Sequence, residues 1–235
     1  MHTIIDPAIL YFGTPVVLVS SENPDGSANL APMSSAWWLG HTCVLGLGAR
    51  SHTPANIIRT GECVLNLPSV REVAAVDRLA LTTGSDPVPS YKEVRGYRHA
   101  KNKFEVAGLT PLASDLVAPP RVGECPVHLE AVLEAVHPLE ERDAERRGKL
   151  VGLEVRIVRV HVDPAIRMAG HEDRIDPVLW RPLIMSFQRF FGLSGEVHPS
   201  RLAQIPESAY RSPSPVKERA RPGVAAGVSV SPASR

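Results

Sequence analysis

Val16-Val-Leu-Val-Ser20, the turn cluster Asn23-Pro-Asp-Gly26 and the returning segment Ala28-Asn-Leu-Ala-Pro-Met-Ser-Ser35 decide the fold class of this chain. An apolar, β-branched run, then Asn, Pro, Asp and Gly together, then a second extended run, is the pattern of a β-hairpin. Working outward, Thr42-Cys-Val-Leu-Gly-Leu47 and Cys63-Val-Leu-Asn-Leu67 read as further strands. Between them a helix is expected from Thr53 or Pro54 to Thr60, stopped by Gly61. Val127 to Leu133 alternates as a strand does. Leu150 to Val162 does so too, with Val151, Leu153, Val155 and Ile157 on one face and a bulge expected before Val158, Val160 and Val162. Six strands with short helices between them favour an all-β barrel with peripheral helices over a parallel α/β sheet.

The remaining segments are less regular. Asp6-Pro7 predicts a short helical turn through Tyr11, and Val70 to Leu81 carries a helical period in Val73, Val76, Leu79 and Ala80. Residues 82–100 hold Gly84, Pro87, Pro89 and Gly96 and form a long polar excursion, more in keeping with a binding loop or lid than with a linker. Glu140 to Lys149 carries four acidic and four basic residues and reads as a solvated hairpin connection. From Ser212 to Arg235 the chain is Pro, Ser, Ala and Val with scattered charge. It cannot bury enough apolar surface to offset ordering and is expected to be a disordered tail.

Composition limits the function classes. A formal net charge of +1 over 235 residues gives no reason to expect nucleic acid or a membrane surface as partner. The N-terminus lacks the basic-then-apolar pattern of a signal peptide, and no apolar run nears the ~20 residues that span a bilayer. A cytoplasmic protein is expected. Cys43, Cys63 and Cys125 are widely spaced and odd in number, which suits buried small hydrophobes and not a disulfide framework. His171-Glu-Asp173 has no spaced partner, and His41, His128 and His161 read as structural histidines, so no metal is expected.

Two patches carry chemistry. Asn29 to Ser35 offers main-chain groups around Pro32 and hydroxyls at Ser34 and Ser35, which can read a flat ring with alternating donors and acceptors. Ala49-Arg-Ser-His-Thr-Pro-Ala-Asn56 stands ahead of the expected helix, where free N–H groups and the helix dipole favour a phosphate. Arg50, Ser51, His52, Thr53 and Asn56 add five polar side chains there. The two patches together suit flavin mononucleotide (FMN). Gly46-Leu-Gly48 does not make a dinucleotide fingerprint, because position 51 is Ser; the glycines read as sites of close backbone approach.

In order and spacing the chain resembles the flavin reductase-like family. The resemblance runs from about Leu10 to Leu193. It rests on Gly13-Thr-Pro-Val-Val-Leu-Val-Ser20, Asp25-Gly26, Asn29 to Ser35, Ser51-His-Thr53 with Asn56-Ile57, Thr60-Gly-Glu62 with Val64 to Leu67, Lys103-Phe104 with Gly108-Leu-Thr110, and Val117-Ala-Pro119. It implies a six-stranded Greek-key FMN-binding split barrel with short peripheral helices, homodimeric, with the flavin near the subunit boundary. Asn29, Ala31, Pro32, Met33, Ser34 and Ser35 would then border the isoalloxazine. Ala49, Arg50, Ser51, His52, Thr53 and Asn56 would hold the ribityl phosphate, and Lys103 and Phe104 would approach from the far side.

FMN is the cofactor implied, with FAD as the variant and NAD(P)H as a candidate electron donor. The acceptor would be free flavin, a partner oxygenase or redox protein, or a small organic molecule. The alternatives are a flavin carrier without catalysis of its own, or an FMN enzyme of specialised metabolism that does not use NAD(P)H in the usual way. Two departures stand out. Many NAD(P)H-using members carry an Asp-His pair where this chain has Arg147-Gly148. The barrel is also followed by an extension through Trp180, Phe190 and Phe191 that resembles a lid or an arm on a partner subunit. Residues 1–211 are therefore read as one domain with a C-terminal arm from about 175 to 211.

Overall fold

The computed structural model describes residues 2–210 of the chain. The expected tail from Ser212 lies outside the described residues. Residues through Pro199 form one compact unit. From Ser200 the described chain holds two 3-10 turns, Arg201–Gln204 and Glu207–Tyr210.

The elements run β1 (Phe12–Pro15), β2 (Val17–Glu22), β3 (Ala28–Met33), β4 (Ala36–Leu39), β5 (Thr42–Gly48), α1 (His52–Thr60) and β6 (Glu62–Leu67). Then come α2 (Val73–Leu79), β7 (Thr82–Thr83), α3 (Ser90–Glu93), β8 (Arg98–His99) and α4 (Lys103–Ala107). The chain continues with β9 (Pro111–Leu112), β10 (Arg121–Val122), β11 (Val127–Leu139), β12 (Leu150–Val162), β13 (Leu183–Ser186) and β14 (Arg189–Gly192).

The central sheet is antiparallel, in the order β3-β2-β6-β11-β12-β5-β4. It contains the six expected strands and a seventh, β4, which pairs along β5 from Ala36↔Leu45 to Leu39↔Thr42. No ladder joins β3 to β4, so the barrel is split there. Those two edge strands are nevertheless consecutive in the chain, separated only by Ser34 and Ser35. The three residue steps from Met33 to Ala36 span at most ~11 Å, so the edges of the sheet come close at that end. The expected bulge in β12 is present: Glu130 pairs with Arg159 and Ala131 with Ile157, which leaves Val158 as the extra residue.

The continuous apolar reading of β2 follows from its being covered on both faces. Val17 and Val19 face the barrel interior with Leu45, Ile57, Leu65, Leu153 and Val155. Val16 and Leu18 face outward into a second core with Val76, Leu79, Phe104, Val122 and Leu183. The cysteines are buried in these two cores, and burial pushes the Cys43 thiol up to about 12 and raises those of Cys63 and Cys125. None is a thiolate near neutral pH.

Three local expectations need correction. Residues 2–11 form no helical turn; so short a segment cannot offset the cost of helix nucleation without packing, and most of it is exposed. The helix expected from Val70 begins as a 3-10 turn, Val70–Glu72, with a capping box between Ser69 and Glu72, and becomes α-helical only at Val73. Within it Ala75, not Ala80, joins Val76 and Leu79 in the core.

The C-terminal extension packs on its own barrel. β13 pairs with β1 and turns into β14 through Phe187 and Gln188, both at positive φ. Leu183, Met185 and Phe190 face the second core. Phe187, Phe191 and Leu193 remain about half exposed, as does Trp37 on the edge strand β4.

Glu130, on β11, has no solvent exposure. Its carboxylate accepts from the N–H groups of Asp115 (2.9 Å), Leu116 (2.6 Å) and Val117 (3.3 Å), and from His161 Nε2 (2.6 Å). Burial pushes its pKa up, but the bonds from Asp115, Leu116 and His161 outweigh this, and it titrates below the ordinary glutamate value. Asp115, Glu130 and His161 bring ligand atoms within 4.8 Å of one another. Arg159 donates to Asp115 at 3.2 Å, however, and Glu130 is fully engaged, so the cluster straps the 115–117 loop to the sheet.

Candidate functional site

A cavity of about 1000 Å³ opens beside the split of the barrel. Its floor is the Ser34-Ser35 junction and the Gly46–Gly48 end of β5. The two glycines have a steric reason. A Cβ on Gly46 would lie 3.2 Å from Ser35 Cβ, and one on Gly48 3.1 Å from Ser51 Oγ. With glycine at 46, its N–H reaches Ser35 O at 2.7 Å and fixes the junction. The Tyr11 hydroxyl completes it, 3.0 Å from Ser35 Oγ.

One wall is the start of α1. Ser51 sits at the N-cap position, yet its side chain makes no capping bond. The N–H groups of His52 and Thr53 are therefore open to an anion, whereas Pro54 has none and Ala55 N–H donates to Ser51 O at 3.4 Å. Arg50 lines the cavity beside them and forms no hydrogen bond or ion pair among the described residues. Lys149 stands with it, held by the bond from Ala49 N–H to Lys149 O at 2.9 Å. The other walls come from α2 and its C-cap (Val76, Asp77, Ala80), from the 82–100 excursion (Tyr91, Lys92, Arg95, Tyr97) and from the β13–β14 hairpin (Met185, Gln188, Phe190).

Among the expected residues, Pro32, Met33, Ser34, Ser35, Arg50 and Ser51 line this cavity. Ala31 and Ala49 are adjacent in the chain but do not line it. Asn29, Thr53 and Asn56 are buried in a network behind the helix start. Asn29 Nδ2 donates to Thr53 Oγ1 and to Ser21 Oγ, each at 3.1 Å, and Asn56 Nδ2 donates to Asn23 Oδ1 at 2.9 Å. His52 joins through Nε2, 2.7 Å from the same Asn23 oxygen, so that nitrogen carries the proton. Burial lowers the pKa of His52, helped by Lys103 and Lys92. With Asn29 it borders a second, smaller cavity of about 240 Å³. Phe104 belongs to the second core.

Lys103 lines neither of these two cavities. It is only 3% exposed and forms no hydrogen bond or ion pair among the described residues. Burial, with Lys92 nearby, pulls its pKa from 10.5 down to about 8. Its charge is felt at His52, the first residue of α1. Below pH 8 a protonated Lys103 costs stability, and that cost is relieved as pH rises from about 8 toward 10.5. An anion bound nearby would offset it. Lys103→Met is therefore expected to stabilise the unliganded protein at pH 7 while weakening FMN. FMN affinity of the wild type should fall as pH is raised through about 8, and that of the variant should not. Parallel profiles for the two proteins in a fluorescence titration would sink the assignment.

Sequence reading missed Tyr11, Tyr91, Lys92, Arg95, Tyr97 and Lys149. The length and polarity of the 82–100 excursion marked it as a binding loop, but nothing local tells which of its side chains turn inward.

The chain as a whole is similar to known proteins in sequence and in fold. The flavin reductase like domain matches residues 9–194, and the chain belongs to this family of flavin-dependent oxidoreductases. It is 37% identical over 193 residues to the uncharacterized protein YdfE of Bacillus subtilis, spanning 82% of this chain and 90% of that one. Among solved structures, component B of nitrilotriacetate monooxygenase from Bacillus cereus superposes with a TM-score of 0.64 at 24% identity, over 82% of this chain and 89% of the other. Flavoredoxin of Desulfovibrio vulgaris (Miyazaki F) gives 0.67 at 20% identity, over 87% and 100%. These two likenesses bear on the fold, a split barrel whose sheet is not closed.

Proposed function

We propose that the protein holds FMN in the large cavity and passes hydride or electrons through it to free flavin, a partner oxygenase or a small organic substrate. The observation that carries this reading is the uncapped start of α1, which shares one cavity with the unpaired Arg50 and with Ser34 and Ser35. Arg50, Ser51 and the open N–H groups would hold the phosphate. Ser34, Ser35 and the main chain around Pro32 would border the ring, with Tyr11 orienting the Ser35 hydroxyl. Asn29, Thr53 and Asn56 act one layer back, fixing the helix start against β2. Met185 and Phe190 would exclude water from one side. The flavin, when bound, supplies the redox chemistry; the protein supplies binding, orientation and shielding.

The fit to an oxygenase partner gains support from the fold likeness to a monooxygenase component, and the carrier alternative from the likeness to a flavoredoxin. A cytoplasmic homodimer completes the reading. Half-exposed Phe187, Phe191, Leu193 and Trp37 are apolar surface that a second copy would cover. Protein purified with added FMN should keep the yellow flavin absorbance through gel filtration, sediment as a dimer and, with NAD(P)H, bleach. A colourless monomer overturns the reading; a yellow protein that no pyridine nucleotide reduces, yet dithionite does, favours the carrier.

A further inference from the structure

The cavity is more cationic than a flavin phosphate requires. Arg50, Lys92, Arg95 and Lys149 line it against the single carboxylate of Asp77. A phosphate monoester brings about −1.5 to −2 charges, so one cation is left unmatched after Asp77 and the phosphate are counted. The four are not equivalent. Arg50 and Lys149 stand together at the start of α1. Lys92 is already engaged, donating to Thr83 Oγ1 at 3.2 Å and lying 5.6 Å above the Tyr97 ring. The Arg95 side chain lines the cavity and forms no hydrogen bond or ion pair among the described residues, its backbone N–H alone being engaged, with Lys92 O at 2.9 Å. Four residues before it, Tyr91 lines the same cavity, 43% exposed and without an aromatic partner among the described residues.

We propose that Arg95 and Tyr91 form a second anion subsite in this cavity, which takes the carboxylate and the ring of a planar aromatic acid beside the bound flavin. The proposal rests on the flavin reading above and names the substrate class for it. A guanidinium fork matches a carboxylate through two parallel hydrogen bonds, and an exposed tyrosine face offers a stacking surface. The subsite is carried by the 82–100 excursion rather than by the barrel, so it can differ in specificity without disturbing the flavin end. The second ligand would enter as a monoanion, the charge that the cavity leaves unmatched.

The test uses the full chain loaded with FMN. Benzoate, and benzamide as the neutral planar control, are titrated while the visible spectrum of the flavin is followed. Benzoate should bind about tenfold or more tighter than benzamide. Arg95→Ala should abolish that difference while FMN affinity stays within about twofold, because an exposed side chain outside the phosphate site is removed. Tyr91→Leu should weaken both probes alike. Equal binding of benzoate and benzamide, or binding of neither, overturns the proposal. Loss of FMN in Arg95→Ala also overturns it and places Arg95 at the flavin phosphate. A wild-type protein that holds no FMN removes the flavin reading itself, and this subsite with it.

Discussion

With Arg50 and Ser51 both replaced by alanine, the protein is expected to bind FMN about 10²–10⁴-fold more weakly, while riboflavin loses about tenfold or less. Each side chain would donate to the phosphate, and a hydrogen bond to a charged group contributes about 1.5–3 kcal/mol, with tenfold in affinity per ~1.4 kcal/mol. Riboflavin has no phosphate and should scarcely register the change. Thr53 is the tempting third target from sequence, but its hydroxyl is buried and accepts from Asn29. Replacing it would damage the support of the helix start and confuse stability with affinity. Arg50 is exposed and unpaired, so its loss should leave folding nearly unchanged. The measurement is quenching of flavin fluorescence with both ligands. Equal losses for FMN and riboflavin would falsify the phosphate assignment.

Glu130→Ala should destabilise the fold by about 3–5 kcal/mol, the range for breaking a buried, hydrogen-bonded charge arrangement. The substitution strands the N–H groups of Asp115, Leu116 and Val117 and leaves His161 facing an empty site. The linkage has a definite sign. Glu130 titrates below its ordinary value in the folded protein, so its stabilisation is fully present above the unfolded glutamate pKa of ~4.3. It is lost as pH falls through the folded-state value. Urea unfolding at pH 7 and near pH 3 should therefore show a gap between wild type and variant that narrows in acid. A variant as stable as wild type at pH 7 would mean that the strap contributes nothing.

Much of the barrel is legible in the sequence because its signals are local. The alternation of Val151, Leu153, Val155 and Ile157, the turn at Asn23-Pro-Asp-Gly26 and the Gly61 stop after α1 each depend on a few neighbouring residues. They survive in the fold unchanged. The polar helix start is local too: donors at 50 and 51 precede a helix, and the cavity opens on them. The excursion at 82–100 was recognisable by length and polarity, though not its inward-facing members.

Local signals thus suffice for the strand order along the chain, the presence of α1 and the family to which the whole arrangement belongs. Which polar side chains face the cavity depends on packing between distant segments. Asn29 and Thr53 lie 24 residues apart, and Asn56 and Asn23 lie 33 apart, yet they bond to each other and turn away from the ligand space. Packing of α1 against β2 sets those directions, and no pattern within either segment encodes it. β4 likewise became the edge strand, with Ser34 and Ser35 closing the gap to β3, because β5 offered it a free side to pair with. Lys103, which the resemblance set on the far side of the flavin, is buried because α4 packs on the second core through its neighbour Phe104. Periodicity and capping act over one or two turns of chain; burial and side-chain partners are fixed by contacts between segments that meet only when the whole barrel has formed.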